Sequence, residues 1–155
     1  MEFLNIKTQA FLGVIGMDLG LFYYEMHKKS IDTDKFLAYL DALDFAFKSL
    51  PRKQRKNGYC LFMDQLSVHT CRRTRAYLEE NQICYMYSPV GSPQYNSIEY
   101  MFSKLKKLVC RERLQDMFKK KPKSHRTYIR HAADEITKDE VNNYIKHVLK
   151  LFKIS

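Results

Sequence analysis

Apolar positions along this chain recur with two different periods, and the change from one to the other marks out its elements. Ala10-Phe-Leu-Gly-Val-Ile-Gly16 and Leu21-Phe-Tyr-Tyr-Glu-Met26 are rich in β-branched and aromatic residues and predict two strands. Between them, Met17-Asp-Leu-Gly20 puts Asp18 and Gly20 where a tight turn needs residues that tolerate positive φ, so a hairpin is expected. From Asp32 or Thr33, either a suitable N-cap, the residues Phe36, Leu37, Leu40, Leu43 and Phe47 follow helical spacing until Leu50 meets Pro51. This helix is expected to cover the hairpin's sheet.

A basic loop, Pro51 to Lys56, leads into Tyr59-Cys-Leu-Phe-Met63, an apolar run of strand length that stops at Asp64. Thr70 to Glu80 reads as an arginine-rich helix, Gln82 to Tyr87 as a further strand, and Ser88 to Pro93 as a loop. The β-α-β order implies that the two strands are parallel. Asn96 opens a long helix with Ile98, Met101, Phe102, Leu105, Leu108 and Val109 on one side. Thr137-Lys-Asp-Glu140 is a capping box for a last amphipathic helix carrying Val141, Tyr144, Ile145, Val148, Leu149 and Phe152. The stretch 113–155 is thus read as a basic connector, centred on Lys119 to Arg126, followed by that helix.

A length of 155 residues with 45% hydrophobic and 14% aromatic residues suits one domain with a single buried core, taken here as residues 1–155. No apolar run is long enough to span a bilayer, and Asn5, Lys7, Thr8 and Gln9 interrupt what would have to be a signal peptide's apolar segment, so an intracellular chain without a membrane partner is expected. Cys60, Cys71, Cys84 and Cys110 form no Cys-x-x-Cys pair and are expected to be reduced thiols. With 27 Lys and Arg against 17 Asp and Glu, the formal net charge of +10 favours a polyanionic partner, nucleic acid first among them.

Two acids stand at informative places. Asp64 closes a buried strand, where open α/β sheets gather their functional groups, although an Asp there also serves simply to start a turn or cap the next helix. Glu99 has its own structural explanation, since Asn96-Ser-Ile-Glu99 fits the N-cap and N3 positions of a capping box. Neither acid alone decides the matter.

The wider segment does more. Leu61-Phe-Met-Asp64-Gln-Leu-Ser-Val-His69 is followed, after a helix and a strand, by Ser92-Pro-Gln-Tyr-Asn96-Ser-Ile-Glu99 and a lysine-rich helix, with 34 residues between Asp64 and Glu99. This pattern closely resembles the catalytic core of DDE transposases of the mariner superfamily, over roughly residues 10 to 112. The resemblance implies an α/β, ribonuclease H-like mixed sheet flanked by helices, and a two-metal mechanism in which carboxylates hold Mg²⁺ or Mn²⁺ for DNA strand cleavage and strand transfer. It makes Asp64 the second acid of the triad and Glu99 the third, with Asn96, His69 and Gln65 shaping the site. His69 reads equally as a polar residue opening the Arg72 helix, and Gln65 replaces the family's usual Asn.

The family's first acid has no clear counterpart. It belongs to a central strand ahead of the hairpin, and that strand is expected to be missing or replaced in a chain incomplete at its N-terminus; Glu2 is the sole acid before Ala10, and Asp18 lies in the hairpin turn. Residues 2–7 offer a short substitute strand. Two of three acids leave open whether the chain cuts DNA alone or is a transposase-derived module that binds DNA or protein without chemistry. Arg72, Arg73 and Arg75 near the Asp64 strand end, and Lys104, Lys106 and Lys107 after Glu99, are candidate phosphate contacts, with solvated helix faces as the alternative. The implied partner is double-stranded DNA, as transposon ends and target, with a homodimer in a synaptic complex; the implied location is nuclear in a eukaryote and cytoplasmic in a bacterium.

Overall fold

A computed structural model describes residues 9–153. In chain order the elements are β1 (Ala10–Gly16), β2 (Gly20–His27), α1 (Thr33–Lys48), α2 (Arg52–Arg55), β3 (Cys60–Met63), α3 (Ser67–Thr70), α4 (Arg72–Glu80), β4 (Cys84–Tyr87), α5 (Ile98–Phe118), α6 (His125–Glu135) and α7 (Lys138–Leu151). The described residues form two compact units, one of residues 29–96 and the other of residues 9–28 together with 97–153. Among them the strands make two separate two-stranded sheets, β1 with β2 and β3 with β4. The proposed substitute strand at residues 2–7, and Glu2 within it, lie outside the described residues.

In the unit of residues 29–96, Asp32 caps α1 by accepting from the Lys35 N–H at 2.9 Å, and Phe36, Tyr39, Leu40 and Leu43 are buried along one face. The Pro51 to Lys56 stretch, expected as a loop, contains the short helix α2, with Pro51 before its first turn, where a missing N–H costs nothing. β3 and β4 pair in parallel, Cys60 with Cys84 through Met63 with Tyr87, as the β-α-β order requires. The expectation of four free thiols is corrected here: Cys60 and Cys84 are directly paired across the ladder and joined by a disulfide, while Cys71 and Cys110 are free. Two cysteines 24 residues apart carry no local signal of their pairing; parallel register brings their Cα atoms within 4.5 Å. The helix expected over Thr70 to Glu80 is α4, which starts two residues later; the short α3 precedes it, and Cys71, extended at ψ 156°, separates the two.

In the second unit, Phe11 and Leu12 are adjacent in β1 and both are fully buried, so both faces of that strand are covered. Phe11 stacks on Tyr24 of β2 at 5.1 Å and meets Phe102 of α5 edge-on at 5.9 Å. Gly13 leaves room for that ring, since a Cβ at this position would lie 2.7 Å from the Phe11 Cε1. The hairpin turn has Asp18 at φ 59° and Gly20 at φ 70°, as its composition predicts. α1 was expected to cover the hairpin; within this unit α7 packs on β1 and β2. Asp18 and Asn142 of α7 exchange two hydrogen bonds, backbone N–H to Oδ1 at 2.8 Å and Nδ2 to carboxylate at 2.9 Å. The capping box forms as expected, with Glu140 N–H to Thr137 Oγ1 at 3.2 Å and Thr137 N–H to Glu140 Oε2 at 3.1 Å. α6 lies where a basic connector is expected through His125 and Arg126. Ser124 caps it, and Tyr128, Ile129, Ala132 and Ala133 bury a face at helical spacing beside α5.

Candidate active site

Asp64 follows the last residue of β3, and its side chain is 25% exposed. Its neighbours are fastened on both sides to one residue of the chain leaving β4. The Ser88 N–H donates to the Met63 carbonyl at 2.8 Å, and Gln65 Nε2 donates to the Ser88 carbonyl at 2.9 Å. Gln65, which departs from the family's Asn, therefore ties the two strand ends together.

His69 supports Asp64 from beneath. It is 1% exposed, packs against the Phe36 ring at 4.7 Å, and brings Nδ1 to 3.1 Å from the Asp64 carbonyl and 2.7 Å from Asp64 Oδ1. The carbonyl accepts the hydrogen bond, and the carboxylate oxygen lies beside the same nitrogen. Both partners are acceptors, so Nδ1 carries the proton. Burial drives the imidazole pKa down to about 3, which keeps the ring neutral near pH 7 and leaves Nε2 as a buried acceptor without a partner.

Glu99 lies half-buried in the first turn of α5. The backbone that its structural explanation needs is in place, with Asn96 extended at φ −109°, ψ 104° and Ser97 already helical at φ −59°, ψ −25°. Asn96 is also buried and closes the 3-10 turn Pro93–Tyr95, its N–H donating to the Pro93 carbonyl at 2.9 Å. The structure thus gathers Asp64, Gln65 and His69 in the first unit, with Asn96 at that unit's end, and carries Glu99 at the start of α5 in the second. Asp18, already set aside as a substitute first acid, has its carboxylate engaged by Asn142. Among the described residues no group of three or more His, Cys, Asp or Glu side chains is arranged to hold a metal ion.

The basic candidates are on the surface, some of them in use. Arg72 and Arg73 occupy the exposed first turn of α4, and Arg73 pairs with Asp34 at 2.7 Å through two side chains more than half exposed, a contact worth little in water. Arg75 donates from Nε to the Thr70 carbonyl at 2.7 Å and, with Arg72, Ala76 and Glu79, lines a shallow cavity of about 310 Å³. Lys104 pairs with Glu140 at 3.1 Å, whereas Lys106 and Lys107 are exposed along α5. Sequence reasoning missed Ser88 and Tyr87. The Tyr87 hydroxyl donates to the His69 carbonyl at 2.7 Å, and its signal, a polar residue ending a strand parallel to β3, emerges only once the register is known.

A family model described as DDE superfamily endonuclease matches residues 5–121. The chain belongs to that family. Among solved structures, it is similar to the catalytic domain of Mos1 transposase with raltegravir and magnesium, at 18% identity and a TM-score of 0.62, over 87% of this chain and 66% of that one. A second structure, the catalytic domain of the Mos1 mariner transposase, gives 18% identity and a TM-score of 0.52 over 83% and 69%. The chain therefore spans about two thirds of the length of these domains, and its mixed α/β fold is the ribonuclease H-like fold they share. No curated protein matches it. No helix among the described residues is long and apolar enough to cross a membrane.

Proposed function

We propose that this chain carries part of a transposase site for metal-dependent cleavage and joining of DNA strands, with Asp64 and Glu99 as metal-binding carboxylates. The observation that carries the reading is the support built around Asp64. A partly exposed carboxylate at a strand end, held by a buried neutral imidazole and by strand-end bonds on either side, is more than a turn or a cap needs. Hard carboxylate oxygens suit Mg²⁺ or Mn²⁺, and ligating carboxylates are themselves oriented by hydrogen-bonded neighbours. When bound, such ions supply charge stabilisation and an activated oxygen nucleophile for phosphodiester chemistry. The residues of this chain then have separate tasks. Asp64 and Glu99 offer oxygen ligands, His69 fixes the orientation of Asp64, and Gln65 and Ser88 fix the peptide that carries it. Arg72, Arg73, Arg75, Lys104, Lys106 and Lys107 offer cationic contacts to phosphates of double-stranded DNA, which is the substrate class that a net charge of +10 favours.

The second reading, a module that binds DNA without cutting it, draws on the same exposed basic residues. Nicking of supercoiled DNA in Mg²⁺ or Mn²⁺ separates the two. Activity lost in both Asp64→Ala and Glu99→Ala supports the enzyme. A folded chain that never nicks, and whose salt-dependent DNA affinity is the same in both variants, supports the binding module.

A further inference from the structure

We infer that Tyr87, at the end of β4, is a positioning residue whose hydroxyl holds His69 in the place from which it orients Asp64. This rests on the reading of Asp64 as a metal-binding carboxylate. The argument begins with the break between α3 and α4. In a continuous helix the His69 carbonyl would accept from the N–H four residues on, but Cys71 is extended at ψ 156°, which interrupts that ladder. Side chains take over three carbonyls of α3. Arg75 Nε donates to the Thr70 carbonyl at 2.7 Å, the fully buried Thr74 donates to the Val68 carbonyl at 2.6 Å, and the Tyr87 hydroxyl donates to the His69 carbonyl at 2.7 Å.

Of these three donors, the first two reach α3 from its own segment of chain. Tyr87 reaches it from the neighbouring strand, paired directly with Met63, the residue before Asp64. Its bond therefore closes a ring of fixed contacts: β3 to β4 through the ladder, β4 to α3 through the hydroxyl, and α3 back to the end of β3 through His69 Nδ1. A short helix of four residues has little cooperativity to hold its own pitch, so the outside bond sets where the imidazole points. Tyr85, two residues earlier on the same face of β4, is the natural control. Its hydroxyl bonds to Glu79 at 3.1 Å and its ring meets Tyr87 at 5.6 Å, yet no bond of its own leads to His69.

The test compares Tyr87→Phe with Tyr85→Phe, each removing one hydroxyl and keeping the ring. Two signals are read: the His69 Nδ1 proton in nitrogen-resolved NMR of the metal-free chain, and Mn²⁺ affinity by titration. In Tyr87→Phe the Nδ1 proton is expected to shift and exchange faster with water, and Mn²⁺ to bind about tenfold more weakly, the low end of effects seen when supports behind a metal ligand are removed. Tyr85→Phe is expected to leave both signals as they are. An unchanged His69 proton in Tyr87→Phe, or equal losses in Tyr85→Phe, overturns the inference. If the proton responds as expected but the wild-type chain binds no Mn²⁺, Tyr87 positions His69 and it is the metal reading of Asp64 that fails.

Discussion

Replacing His69 by Phe isolates what the imidazole gives to Asp64. The substitution keeps a buried ring against Phe36 and deletes the Nδ1 donor, so its main cost is the bond to the Asp64 carbonyl and the contact with the carboxylate rather than a cavity. Leaving a buried acceptor without its donor costs about 1–3 kcal/mol, and the substitution is expected to lower unfolding free energy by that amount. His69→Ala adds a cavity and should cost more, towards the roughly 3–5 kcal/mol of a buried aromatic truncation. The carboxylate share comes from a double-mutant cycle with Asp64→Asn: the carbonyl bond survives that change and the charge does not. Residues in such contact usually couple by about 0.5–3 kcal/mol, and a value near 1 is expected here. Urea unfolding followed by circular dichroism measures all four proteins. If His69→Phe is as stable as wild type, His69 does not hold Asp64 and the reasoning is refuted; zero coupling would refute the contact with the carboxylate alone.

Two further outcomes follow from the fold. The Cys60–Cys84 disulfide spans 24 residues, for which chain entropy gives about 3 kcal/mol of stabilisation, so reduction or Cys60→Ser with Cys84→Ser should lower stability by that order; two alkylatable thiols gained on reduction would confirm the bond, and four under non-reducing conditions would deny it. The Thr137 backbone N–H, then Lys104, hold the Glu140 carboxyl below its ordinary pKa, so the folded chain loses its Glu140 proton more readily than the unfolded one. The stability this contributes is present above the ordinary carboxylate range and lost as pH falls through the depressed value. Glu140→Gln should therefore flatten the acid side of a melting-temperature profile, and a profile with the wild-type acid slope would contradict the lowered carboxyl pKa.

Much of the fold could be read from local pattern. Asp32, Pro51, the Asp18 to Gly20 turn and the Thr137 box act within a few residues of themselves, and each is found as expected. What escaped depends on partners far along the chain. The break at Cys71 lies where the Tyr87 hydroxyl takes the His69 carbonyl, and the disulfide follows from parallel register. α6 escaped for a different reason: its helical face is built on Tyr128, Ile129 and two alanines, an apolar stripe too thin to stand out beside a basic run.

The candidate site divides in the same way. Asp64 could be placed from the abrupt end of an apolar run, because burial of a strand and exposure of the residue after it are both written in sequence order. Glu99 is ambiguous on local pattern, because an acid in the first turn of a helix serves the helix as readily as a site. For His69 the two readings differed only in the direction of a side chain, which no periodicity reports. Ser88 and Tyr87 gain their meaning wholly from lying beside β3.

Paramagnetic broadening by Mn²⁺ tests the central claim most directly, because it reports where the ion sits without requiring turnover. The account predicts that Mn²⁺ broadens the amide resonances of Met63, Asp64 and Gln65 and the ring resonances of His69 at low equivalents, and that Asp64→Asn removes the effect while the rest of the spectrum stays native. Broadening confined to other carboxylates, or none in a folded chain, would contradict it.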